Sequence, residues 1–156
     1  MIRNSTFEDE SAILKLDDEF FDYTRNKFDD SLTEFQKLQI QNILIARISN
    51  LNSTCLFIAE DKNIVVGFVT GKIRTVDKDK ADLNNIFITE HYRSQGIGAD
   101  LFEKFLDWVK TYKVKMILVE YYIDDIDAKN FYKKLGFKES KEVARNKHEK
   151  LEFLRI

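Results

Sequence analysis

Arg93-Ser94-Gln95-Gly96-Ile97-Gly98 is the stretch of this chain best suited to hold a charged ligand. It falls where a strand-like run, "ADLNNIFIT" (81–89), gives way to a helix-like run carrying Ile97, Leu101, Phe105, Val109 and Tyr112 at helical spacing. Glycine at such a junction can take positive φ and lets a ligand come close to the backbone. Consecutive N–H groups there form an anion nest, and the helix amino terminus adds roughly half a positive charge. A diphosphate is the natural guest, with Arg93 in reach at the loop edge. A tight turn with no ligand would use the same residues. Two common phosphate motifs are excluded. No GxxxxGK[ST] occurs, and Leu101 stands where a dinucleotide fingerprint needs its third glycine.

Other reactive side chains are few. Cys55 lies in the apolar run "TCLFIAE" with no base nearby, so it reads as a small packed hydrophobe. His91 and His148 sit in charged segments and read as surface residues.

The elements that would position the glycine turn follow from periodicity. A short strand at Met1–Arg3 leads to a capping-box pair, Thr6 and Asp9, and a helix bearing Ile13, Leu16, Phe20 and Tyr23. A second start at Ser31 and Glu34 opens a helix whose inner face is Leu38, Ile45 and Ile48, widened by Leu44. Strands follow at 54–60 and 63–76, joined by a "DKN" turn. Gly67 and Gly71 predict a bulge or bend in the second. After the strand at 81–89 and the glycine-turn helix come a buried strand at 115–122, a short helix closed by Gly136, and a last strand in "HEKLEFLRI". The strand–helix–strand of 81–122 needs a crossover, so its two strands should be parallel neighbours. The fold class is therefore α/β (α+β): a mixed, mostly antiparallel sheet with one parallel splayed pair and helices on both faces.

The 156 residues suit one domain spanning 1–156. A net charge of −2 gives no basic excess for nucleic acid or an anionic membrane. A single cysteine, an acidic amino terminus without signal-peptide character and no apolar run of ~18 residues lead to the expectation of a cytoplasmic protein with no membrane partner. The last strand can pair within the chain or with a second copy, which leaves a homodimer open.

Two segments together resemble a known family. "IFITEHYRSQGIGADLF" looks like motif A of the GCN5-related N-acetyltransferases, [R/Q]-x-x-G-x-[G/A], with the apolar triplet Ile86-Phe87-Ile88 upstream. "DAKNFYKKLGF" resembles the family's motif B at Ala128, Phe131, Tyr132, Gly136 and Phe137. One helix and one strand separate the two, as in the family.

The resemblance implies acetyl-CoA as acyl donor, direct attack by an amine in a ternary complex, and no metal. It implies that backbone N–H groups of Gln95, Gly96, Ile97, Gly98 and Ala99, in the turn that Arg93 and Ser94 open, bind the pyrophosphate. Ile86, Phe87 and Ile88 would bond the pantetheine like an added strand, with an N–H near Ile88 polarising the thioester. Tyr132 matches the family's acid for the leaving thiolate, or packs as an ordinary helix aromatic. Glu120 or Asp82 is the implied base, with Glu120 favoured, and each could instead be a solvated strand end. Many members carry Asn where Asp125 stands here, so the pantetheine contact would change or pass to Asn130. The acceptor is a small-molecule amine or a peptide amino terminus; a non-catalytic acyl-CoA sensor is the third reading. The first helices carry "FEDES", "DDEFFDY" and "FDDS", either an acidic wall for a polycationic amine or a solvated face.

Overall fold

The computed structural model describes residues 1–28 and 32–156. Its strands are β1 (Ile2–Asn4), β2 (Thr54–Asp61), β3 (Ile64–Ile73), β4 (Lys80–Ile88), β5 (Met116–Tyr122), β6 (Lys138–Glu139) and β7 (His148–Phe153). Its helices are α1 (Glu10–Phe28), α2 (Glu34–Ile45), α3 (Ile97–Lys110) and α4 (Ile126–Leu135). The strands form one sheet in the order β1-β2-β3-β4-β5-β7-β6. All neighbours are antiparallel except β4 and β5, which are parallel as the α3 crossover requires. The carboxy-terminal strand pairs inside the chain, with β5 and β6. β6, two residues long, carries no periodic signal in the sequence.

Each sheet face has its own core, because strand side chains alternate. Val69, Ile73, Leu83, Ile117 and Val119 join α3's Leu101, Phe102, Phe105 and Val109 and α4's Tyr132. Leu56, Ile58, Phe68 and Phe87 point the other way, to Ile13 and Leu16 of α1 and Leu44 and Ile48. A fully buried aromatic such as Phe105 contributes roughly 1.5–3 kcal/mol. Gly71 makes room for it: a Cβ there would lie 2.4 Å from the Phe105 ring and 2.5 Å from the Asp82 carbonyl. The strand also shifts register at Thr70/Gly71. Cys55 packs with no exposure, and burial pushes its thiol up to about 12.

At the start of α1, the Asp9 carboxylate accepts the Thr6 N–H at 2.8 Å and is clamped by Arg3 at 2.8 and 2.9 Å. The second helix departs from expectation. Ser31 lies outside the described residues. The capping box is Thr33 with Gln36, at 2.9 and 3.1 Å. Leu38 is 57% exposed, and the seam against the sheet is Leu44, Ile45 and Ile48. The helix meets the core through its carboxy-terminal half, so its earlier apolar residues stay outside.

No described helix is long and apolar enough to cross a membrane. No group of three or more potential metal-ligating side chains occurs among the described residues.

Candidate active site at the β4–β5 fork

β4 and β5 pair only from Lys80↔Met116 to Leu83↔Val119. Beyond that they separate, β4 continuing to Ile88 and β5 to Tyr122. The fork leaves main-chain edges on both inner sides, where an extended amide chain can add as a strand. Ile86 and Ile88 lean toward the α3 core, while Phe87 faces α1.

The glycine turn closes the open end of the fork. Thr89 leads into a 3₁₀ turn, and Ser94 and Gly96 take φ values of 61° and 85°. Gln95 Nε2 staples the turn by donating to the His91 carbonyl at 3.0 Å. The first backbone bond of α3 is Asp100 N–H to the Gly96 carbonyl, at 3.1 Å. The N–H groups of Gly96, Ile97, Gly98 and Ala99 therefore have no intrahelical acceptor, and none meets a backbone carbonyl among the described residues. Four convergent donors at a helix amino terminus fit a diphosphate.

The two glycines do different work. Gly96 supplies the left-handed turn in open space, with nothing within 4 Å of an added Cβ. Gly98 supplies contact: a Cβ would lie 3.0 Å from the Phe131 ring and 3.3 Å from Ile88 Cδ1. It brings α3, α4 and β4 together at one point.

Arg93 turns away from the nest. Its Nε donates to the Ile88 carbonyl at 2.9 Å, and its guanidinium lies 5.5 Å from the Tyr23 and Phe87 ring centroids. Reaching a phosphate requires it to leave these partners.

α4 delivers the phenol. Asp125 is its N-cap, accepting the Ala128 N–H at 3.1 Å, and Gly136 closes it at φ 110°. Tyr132 is 7% exposed among Tyr121, Phe131 and Phe137. Burial first, then the Asp125 charge, push its hydroxyl well above the ordinary phenol range. It stays protonated at neutral pH. Asp125 is committed to its cap, while Asn130 lies exposed on the same helix.

The two carboxylates occupy different places. Asp82 lies in the paired part of β4, below the fork, and is gripped by Arg74 at 2.7–3.1 Å. Glu120 is the first β5 residue past the last β4–β5 pair. It pairs with Arg145 and lies 3.9 Å from Lys150. Burial pulls the Glu120 carboxyl upward, but the Arg145 hydrogen bond and charge outweigh it and hold it below the usual range.

His148 is not the surface residue expected. It pairs opposite Tyr122 in β7, is half-buried, and packs its ring 4.3 Å from that of Tyr122. Only register reveals this, because its sequence neighbours are charged. His91 is exposed, as expected. Tyr122 also stacks on Phe28 at 4.6 Å, and Lys27 reaches Asp127 at 3.5 Å and Asp125 at 3.9 Å. The end of α1 thus bridges both β5 and α4. Part of the acidic face is paired within the chain, Asp9 with Arg3, Asp18 with Lys37 and Asp22 with Arg25, and Asp29 and Asp30 of the "FDDS" run lie outside the described residues.

A forked parallel pair with a free-amide helix terminus beside it is the architecture that the sequence resemblance implies. Comparison with known proteins agrees. The model of the acetyltransferase (GNAT) family matches residues 12–137, and the chain belongs to that family. A Methanocaldococcus jannaschii protein named an uncharacterised N-acetyltransferase is 31% identical over 93 residues, covering 57% of this chain and 41% of that protein. An N-alpha-acetyltransferase of Sulfurisphaera tokodaii is 33% identical over 96 residues, covering 54% and 57%. The match thus spans about half the length of these relatives. The fold is also that of the PaiA N-acetyltransferase of Thermoplasma acidophilum, solved in complex with coenzyme A: TM-score 0.81, 20% identity, covering 99% of this chain and 98% of that one. The ribosomal-protein-alanine N-acetyltransferase of Brucella melitensis gives TM-score 0.75 at 17% identity over 99% of both chains.

Proposed function

We propose that the protein transfers the acetyl group of acetyl-CoA to the primary amine of a small molecule, by direct attack in a ternary complex. The observation that carries this reading is the set of N–H groups at Gly96–Ala99, unpaired among the described residues, beside the β4–β5 fork. The nest fits the pyrophosphate, and the exposed inner edge of β4 at Ile86–Ile88 fits the pantetheine amides. Arg93, Ser94 and Gln95 shape the turn. Asp125, as an acceptor, would orient α4 rather than donate, leaving Asn130 as the amide donor on that helix.

In the transfer a C–N bond forms at the thioester carbonyl and the C–S bond breaks. The N–H near Ile88 supports the carbonyl oxygen as it gains charge. Glu120, at the fork and ionised at neutral pH, takes the amine proton directly or through water. Asp82 is the weaker candidate for this role, being closed by Arg74 below the fork. The Tyr132 hydroxyl, kept protonated by burial, gives its proton to the leaving thiolate.

A peptide amino terminus is the second reading, favoured by the name of the Sulfurisphaera relative. The Phe28–Tyr122 stack and the Lys27 bridge favour a small acceptor. Incubating the protein with acetyl-CoA and a panel of amines and short peptides tests both. The reading expects free CoA thiol that appears only with amine, and faster with small amines. Tight CoA binding with no amine-dependent thiol would instead identify a sensor.

A further inference from the structure

On the sheet face that α1 and α2 cover, one guanidinium is held in place without a carboxylate. Arg47 follows the end of α2 and is half-buried. Both hydrogen bonds it makes among the described residues leave from Nη1: to Thr70 Oγ1 at 2.9 Å and to Asn84 Oδ1 at 2.8 Å. Thr70 is 2% exposed, and its single proton goes to the Cys55 carbonyl at 2.8 Å, so toward Arg47 it can only accept. The guanidinium is thereby fixed by neutral acceptors.

What is left over has a definite shape. Nε–H and Nη2–H share one edge of the planar group, the edge that takes two oxygens of a carboxylate or phosphate side by side. No carboxylate lies within ion-pair distance of Arg47 among the described residues. Asp82, whose charge acts on it, is occupied by Arg74. Lys72, two residues along β3 from Thr70 on the same face, is exposed and also makes no ion pair among the described residues. Even partial burial of a cation costs free energy unless something pairs with it.

The location links this edge to the fork. The register of β3 and β4 pairs Thr70 with Asn85 and Gly71 with Leu83, which leaves Asn84 as the bulged residue. Asn84 is also the first β4 residue past the last β4–β5 pair, across the fork from Glu120. Arg47 is therefore anchored on one lip of the fork, and the base candidate stands on the other.

Resting on the transferase reading above, we infer that Arg47 determines acceptor specificity by binding an anionic oxygen group, carboxylate or phosphate, carried by the amine that is acetylated. The acceptor class is then an amine with an acidic group a few bonds away.

Calorimetric titration of the CoA-loaded protein with matched pairs tests this: an amino acid against its amide, and an aminoalkyl phosphate against the amino alcohol. The two arms separate carboxylate from phosphate. The charged member of at least one pair should bind roughly 10- to 100-fold more tightly, the range for a charge-assisted two-point contact. Arg47→Met should abolish the preference, and Arg47→Lys should keep part of it. CoA affinity reports folding of each variant. Equal binding of both members by the wild-type protein would overturn the inference. So would a preference that survives Arg47→Met, or an equal loss for both members in a variant that still binds CoA. Because the readout is binding, absent turnover would count against the transferase reading alone.

Discussion

Gly96 and Gly98 make a paired prediction, because alanine should fail at each for a different physical reason. At Gly96 the backbone is left-handed at φ 85°, and the space is open. Alanine there costs roughly 1–2 kcal/mol of strain and meets no clash. If the loop relaxes to avoid the strain, the N–H groups swing off their common focus. Losing one charge-assisted bond to the pyrophosphate should weaken CoA binding roughly 10- to 100-fold. Asparagine tolerates this conformation, so Gly96→Asn should recover most of both losses. At Gly98 an added methyl meets the Phe131 ring at 3.0 Å and Ile88 Cδ1 at 3.3 Å. Helix propensity would gain about 1 kcal/mol and overpacking would cost about 1–3 kcal/mol, a net loss of roughly 0–2 kcal/mol. Phe131→Leu shortens the clashing edge, so the double variant should recover about 1 kcal/mol relative to additivity. Urea denaturation and CoA titration of the wild type and the five variants measure all of this. Wild-type stability and affinity in Gly96→Ala, or strict additivity of Gly98→Ala with Phe131→Leu, would refute the division of labour.

Three further outcomes follow from the ionisable groups and the cap. Asp17 is 2% exposed, its Oδ2 has no hydrogen-bond partner among the described residues, and burial followed by the Asp18 charge pushes its carboxyl up to about 6. The unfolded chain releases this proton first as pH rises. The penalty therefore grows between about pH 4 and 6 and is full above that, up to about 3 kcal/mol. Asp17→Asn should raise stability at pH 7.5 and lose its advantage near pH 3.5, and an equal gain at both would contradict the burial argument. Arg145 holds the Glu120 carboxyl down, so Arg145→Ala should move the acid limb of kcat/KM to higher pH. An unmoved limb would exclude Glu120 as the titrating base. Asp125→Ala removes the α4 cap and should cost about 1 kcal/mol in urea melts, whereas Asp125→Asn should cost far less.

Local signals were readable where a short run of sequence suffices. The glycine turn, the Gly136 stop and the Thr6–Asp9 box each depend on residues a few positions apart, and each stands where the pattern put it; the parallel crossover followed from the order of strand, helix and strand. Features built from distant segments were not readable. Arg47, Thr70 and Asn84 come from three segments and meet only through the bulge in β4. His148 looked solvated because its sequence neighbours are charged, but strand register sets it against Tyr122. Asp82 and Glu120 looked alike as strand-end carboxylates. The length of the β4–β5 ladder separates them, placing one inside the paired region and one at its end. In α2, helical spacing put Leu38 on the inner face with Ile45 and Ile48, but docking through Leu44, Ile45 and Ile48 leaves Leu38 exposed.

The central claim, proton delivery by Tyr132 in acetyl transfer at the fork, is tested most directly by single-turnover kinetics of Tyr132→Phe at matched acetyl-CoA occupancy. The account predicts unchanged CoA affinity and acetyl transfer slowed roughly 10²- to 10⁴-fold, with the deficit shrinking when a donor with a better thiol leaving group is supplied. Transfer at the wild-type rate would contradict it, as would a loss explained wholly by weaker CoA binding.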